Sequence, residues 1–89
     1  ARLIEAAHQV DAIAIVDNTF ATPINQNPIT LGADLVIHSA TKYLGGHGDV
    51  LGGLVCGRED LVEKIFRYRE LTGPSLDAFS AYLLLRSLK

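Results

Sequence analysis

The sequence predicts an α/β fold. Two short runs, AIAIV at 12–16 and DLVIH at 34–38, are rich in β-branched side chains, as strands covered on both faces of a parallel sheet are. Residues 18–33 join them, and this connection exceeds the roughly dozen residues that a parallel crossover requires. Residues 59–71 carry a helical pattern, with Leu61, Val62, Ile65 and Phe66 on one face and Glu63, Lys64, Arg67 and Glu70 on the other.

The elements follow in order. Leu3, Ile4 and Ala7 stand at helical spacing, so residues 2–9 read as the end of a helix. AIAIV is the first strand. The connection contains Pro23, Pro28 and Gly32, so it is mostly loop, with one helical turn near 28–31. DLVIH is the second strand. VLGGLVC at 50–56 reads as a third, with glycines where another backbone approaches. The link from the second strand is short, which favours an antiparallel third strand. After the 59–71 helix, Thr72-Gly73-Pro74 breaks the chain. Ser75 can cap a second helix with Asp77 in its first turn. AFSAYLLLRSL is then apolar nearly all round, as a helix buried on several sides is.

Composition narrows the function. Of 89 residues, 48% are apolar and 20% charged, a rich core for a chain with little surface to hide it. The pattern is that of a piece that packs against more protein, and both ends read as cuts. The net charge is −2 with no basic stripe, which argues against nucleic acid. A lone cysteine, Cys56, rules out a disulfide framework and fits a reducing cytosol. It lies in an apolar run and reads as buried and structural. No apolar run approaches the roughly 20 residues of a membrane span, and ARLIEAAHQV lacks the pattern of a signal peptide. His38, His47, Asp49 and Cys56 fit no zinc spacing. His47 and Asp49 read as loop and subunit-contact residues, and His8 as solvated. Gly45, Gly46 and Gly48 are not a dinucleotide fingerprint, because no GxGxxG opens a helix.

Two polar clusters follow the two parallel strands: Asp17-Asn18-Thr19, and Ser39-Ala40-Thr41-Lys42. Ligands bind at strand carboxyl ends in open α/β sheets. If the strands are neighbours, Asp17 and Lys42 face one crevice. An Asp, a Lys and two hydroxyls together suit pyridoxal phosphate (PLP). Its aldehyde needs an amine, its ring nitrogen a carboxylate, and its phosphate hydroxyl and N–H donors. Ser39 and Thr41 would point the same way in extended chain and could grip one phosphate. A lysine alone would read as solvated, and Asp17 alone as a turn cap. The combination favours the cofactor.

VDNTFATP, LGADLVIHSATKYLGGHGDVLGG and AYLLLRSLK together resemble the Cys/Met metabolism PLP-dependent enzymes: cystathionine γ-lyases and γ-synthases, methionine γ-lyases and homoserine-ester sulfhydrylases. The 25-residue step from Asp17 to Lys42 agrees with that family. The resemblance implies an aspartate-aminotransferase-like (fold type I) domain, with residues 1–89 its central part. It implies Lys42 as the lysine that holds PLP as an internal aldimine and shuttles protons. Asp17 would be the carboxylate on the ring nitrogen, Ser39 and Thr41 phosphate ligands, and Thr19 a residue near the ring. The implied reaction is γ-elimination or γ-replacement on cystathionine, methionine or O-acyl-homoserine substrates, in a cytoplasmic homotetramer. In this family the stacking aromatic, the phosphate-loop glycines and the neighbouring subunit's Tyr and Arg lie upstream. The arginine that binds the substrate carboxylate lies downstream, so Arg86 is not that residue. The 89-residue stretch alone is expected to be inactive. Two alternatives stand beside this reading: a non-catalytic truncated piece that only packs against a subunit, and, more weakly, a nucleotide-binding module.

Overall fold

Residues 1–89 are described by a computed structural model. Helix α1 (Arg2–His8) leads through a turn to β1 (Ile15–Asp17). A short helix α2 (Thr22–Asn25) and a 3-10 turn (Pro28–Leu31) precede β2 (Leu35–Ser39). A π-type turn (Ala40–Leu44) and a glycine loop lead to β3 (Gly53–Gly57), then α3 (Glu59–Thr72) and α4 (Ala78–Ser87). The sheet order is β1-β2-β3, with β1 parallel and β3 antiparallel to β2. Both orientations agree with the sequence reading, as does the turn at 28–31.

The strands sit later in the chain than their apolar runs suggest. Ala14 already serves β2 without being in the ladder: its carbonyl accepts from Asp34 and Leu35 N–H at 3.0 and 3.2 Å. The ladder then runs in register from Ile15↔Leu35 to Asp17↔Ile37. At the far end Ser39 pairs with Gly53, and β2 then coils away. Residues 50–52 therefore lack a strand partner, and β3 starts three residues after the expected Val50.

Coverage of the sheet also departs from expectation. Ile4, Ala14, Ala33 and Val36 form one buried cluster, with Ala7 and Val16 packed against it, so α1 covers the Val16/Val36 face. Ile15 and Ile37 point to the opposite face and remain 57% and 36% exposed. The body is only 16 Å through its thinnest axis. With sheet layers about 10 Å apart, that leaves no room for a layer on both faces throughout. For the same reason α4 buries Leu83 and Leu84, against Ala40 and Val50, but leaves Phe79, Tyr82 and Leu85 exposed. Cys56, expected inside, is exposed: it sits opposite Val36 but outside the cluster of Ile4, Ala14, Ala33 and Val36. The cap of α4 is Asp77, not Ser75: Asp77 Oδ1 accepts from Phe79 and Ser80 N–H at 3.0 and 2.9 Å.

One buried carboxylate staples the amino end of the parallel pair. Asp34 Oδ2 accepts from Ala14 N–H at 2.8 Å and lies 2.8 Å from His8 Nε2. Its Oδ1 accepts from Arg58 Nη1 at 2.9 Å, and its carbonyl accepts from Arg58 N–H at 2.9 Å. His8 is exposed, in line with the solvated reading, but it also gains a partner that the sequence did not indicate, since the fold returns residue 34 to the end of α1. A side chain on Gly57 would meet the Asp34 carbonyl at 2.2 Å, so β3 needs glycine there.

The Ala14 N–H, then His8 and Arg58, hold the Asp34 carboxyl down at about 2, from an ordinary 3.8. A depressed acid stabilises the fold above its unfolded value and loses that contribution as pH falls through the folded value. Asp34→Asn is therefore expected to lower the melting temperature at neutral pH and to flatten its decline between pH 3.8 and about 2. Thermal unfolding monitored by circular dichroism across that range checks this, and identical slopes for both proteins would contradict it.

Candidate functional site

At the opposite end, the carboxyl termini of β1 and β2 lie side by side, and one hydroxyl ties them together. Asp17 closes β1. Its Oδ1 accepts from Thr19 N–H at 3.0 Å and from the Thr19 hydroxyl at 2.6 Å. The same Thr19 oxygen accepts from Ser39 N–H at 2.8 Å, across to the last residue of β2. Thr19 is 6% exposed, so little water competes for these bonds. The Thr19 hydroxyl, then its N–H, holds the Asp17 carboxyl below the ordinary range, and the nearby His38 acts in the same direction. Asp17 is thus a pre-set anion at the sheet rim, with Oδ2 left without a partner in the chain.

Lys42 lies three residues beyond β2 in the Ala40–Leu44 turn, with non-helical φ −90° and ψ −123°. It is exposed, and its amine has no partner in the chain. Main-chain bonds hold the turn around it: Gly45 N–H donates to Ala40 O and Gly46 N–H to Lys42 O, each at 2.8 Å. Since the chain coils at Ala40, residues 39–41 are not extended, and the expected shared direction of Ser39 and Thr41 does not follow. The Thr41 hydroxyl accepts from Gly52 N–H at 3.1 Å, while the Ser39 hydroxyl is unengaged. Asp17, Thr19 and Ser39 therefore form one hydrogen-bonded chain, and Thr41 and Lys42 stand outside it on the same rim. Phe20 and Tyr43 bridge the two segments, with ring centroids 6.0 Å apart at 64°.

Helix α4 braces the glycine loop from behind. Arg86 Nη2 donates to Asp49 Oδ2 at 2.9 Å and holds that acid below its ordinary range. The Ser87 hydroxyl donates to Gly45 O at 2.7 Å. Asp49 and Arg86 thus join the loop after Lys42 to a helix.

Sequence reading placed Asn18 in the first polar cluster without a role and did not single out Gln26. Asn18 is 1% exposed. Its Nδ2 donates to Gln26 O at 2.9 Å, and its Oδ1 accepts from Gln26 Nε2 at 3.1 Å. A buried amide at a strand end, with a second amide across a proline-containing loop, is the signal that could have found them. His38 is also buried, at 7% exposed, and its Nδ1 has no partner.

Gly45 is the tightest point of the lysine turn. A Cβ there would lie 2.6 Å from Ala40 O, the carbonyl that its own N–H binds. Gly45→Ala is expected to cost about 1–3 kcal/mol. Urea denaturation measures this, and an unchanged midpoint would contradict the packing described.

The family model described as "Cys/Met metabolism PLP-dependent enzyme" matches residues 1–89. The chain is 47% identical over 88 residues to an L-methionine gamma-lyase of Treponema denticola, covering 97% of this chain and 22% of that protein. It is 47% identical over 90 residues to a cystathionine gamma-synthase of Escherichia coli, covering 100% of this chain and 23% of that protein. Among solved structures, a cystathionine gamma synthase from Xanthomonas oryzae pv. oryzae, crystallised with aminoacrylate and cysteine, superposes with TM-score 0.94 at 44% identity. That match covers 98% of this chain and 23% of the other. The chain thus spans about a fifth to a quarter of the length of these relatives.

Proposed function

The chain belongs to the Cys/Met metabolism PLP-dependent enzyme family, and on that premise we propose that residues 1–89 are the central part of a PLP-binding domain. The whole protein would carry out γ-elimination or γ-replacement on cystathionine, methionine or an O-acyl-homoserine, in the cytoplasm and as a homotetramer. The observation that carries this reading is the pairing of a pre-set carboxylate, Asp17, with an unpartnered lysine, Lys42, on one sheet rim. No helix here is long and apolar enough to cross a membrane.

The residues present fit the cofactor. Asp17 is held as an anion by Thr19 and keeps Oδ2 open, which suits a protonated ring nitrogen. The Ser39 hydroxyl is unengaged and can donate to a phosphate oxygen. The Thr41 hydroxyl accepts from Gly52 N–H at 3.1 Å and donates to Gly52 O only at the long distance of 3.5 Å, so a phosphate oxygen could take that proton instead. Thr19 reaches the site through Asp17 and Ser39, so it orients the carboxylate.

When bound, the cofactor supplies an electron sink for carbanion chemistry. The protein's part is placement and proton handling. Lys42 Nζ would hold the cofactor at its aldehyde and, as a free amine, would take the proton from the substrate Cα and return protons further along the chain. Asp17 Oδ2 would hold the ring nitrogen in its protonated form. The Gly45 and Gly46 main-chain bonds hold the Lys42 backbone while its side chain moves.

The test is to reduce the intact protein with borohydride in the presence of PLP and map the adduct. Labelling is expected on Lys42 alone, with Lys64 and Lys89 as internal controls. Lys42→Ala is expected to lose the adduct and to lower turnover at least ~10²–10⁴-fold, the range for a positioned acid–base group. Label spread over Lys64 and Lys89, or none, would contradict the assignment.

A further inference from the structure

The 18–26 loop is held more firmly than a connection needs to be. Asn18 is pinned at four points: its N–H donates to Ile37 O at 2.9 Å, and its carbonyl accepts from Thr22 N–H at 2.9 Å. Its amide makes the reciprocal pair with Gln26. Burying an amide is costly unless its donors and acceptors are paired. An apolar side chain would fill the space without that requirement. The polar groups of Asn18 therefore serve to fix position.

What they fix lies on either side. With Asn18 N–H committed to β2, the next N–H, that of Thr19, is directed to Asp17 Oδ1, and the Thr19 hydroxyl spans Asp17 and Ser39 N–H. The clamp also holds Thr22 at φ +61°, a conformation a β-branched residue adopts only when its surroundings impose it.

We propose that Asn18, closed by Gln26, is a positioning residue that acts through Thr19 to set both the Asp17 carboxylate and the Ser39 N–H. This rests on the cofactor reading of Asp17 and Ser39. Its test has one arm that needs no cofactor.

That arm is amide hydrogen exchange on the intact apo protein, comparing wild type, Asn18→Ala, Thr19→Ala, the double variant and Gln26→Ala. Asn18→Ala is expected to speed Ser39 exchange at least ~10-fold, although Ser39 is on another strand. In the Thr19→Ala background the same change should add less than ~2-fold, because residues acting through one another are not additive. The second arm is PLP affinity by absorbance titration, expected to weaken about 10-fold in Asn18→Ala with the same non-additivity. Should Asn18→Ala fail to fold, Gln26→Ala decides. Gln26 is exposed, and this variant removes only the Nε2–Asn18 Oδ1 bond. It should shift Ser39 exchange and PLP affinity the same way, by a smaller factor. An unchanged Ser39 amide, or an Asn18 effect of equal size with and without Thr19, would overturn the proposal. Wild-type protein that binds no PLP would overturn the proposed function, while apo exchange would still judge the relay.

Discussion

Parallel pairing of β1 with β2, in register from Ile15↔Leu35 to Asp17↔Ile37, is the constraint on which the rest of the site depends. Two short strands would hold this pairing weakly on main-chain bonds alone. Each end carries a side-chain fastening instead. Asp34 gathers Ala14, His8 and Arg58 at the amino end, and Thr19 joins Asp17 to Ser39 at the carboxyl end. Each fastening centres on a buried side chain that makes more than one hydrogen bond: the Asp34 carboxylate accepts, while the Thr19 hydroxyl accepts from Ser39 N–H and donates to Asp17, where water competes little.

The two ends differ in what they leave over. Asp34 has both oxygens engaged and is purely structural. Asp17 is bonded through Oδ1 only, so its charge is fixed while Oδ2 stays available. Lys42 is similarly supported from behind, by backbone bonds at Gly45 and Gly46 and by Arg86 and Ser87 of α4, with its amine left open. Rigid backing with one open atom is what pre-organisation of a binding site requires. The Phe20–Tyr43 ring contact joins the two backed segments directly.

Much of this was legible in the residues. β-branched runs located the strands, the length of 18–33 indicated a parallel crossover, and the short glycine loop indicated the antiparallel return. Asp17, Thr19, Ser39, Thr41 and Lys42 stood out by residue type and position. Periodicity could not report pairing limits: AIAIV reads as strand from Ala12, but the ladder waits for β2 at Leu35. Nor could it report that Ile15 and Phe79 are exposed within this chain, since apolar character marks what prefers burial and not which neighbour supplies it. His8 found its partner 26 residues away, a contact no local pattern encodes. Asn18 was given no role of its own, because its bonds to Gln26 and Ile37 exist only once the loop has closed.

The central claim is that one sheet rim presents Asp17 as an oriented anion and Lys42 as a free amine to the same bound molecule. A crystal structure of the intact protein with PLP tests it most directly. The account predicts continuous density from Lys42 Nζ to the cofactor. It also places the ring nitrogen about 2.7–2.9 Å from Asp17 Oδ2, the range for a charge-assisted bond, with Oδ1 still on Thr19. A cofactor attached elsewhere, or an Asp17 carboxylate turned away from the ring with Thr19 released, would contradict it.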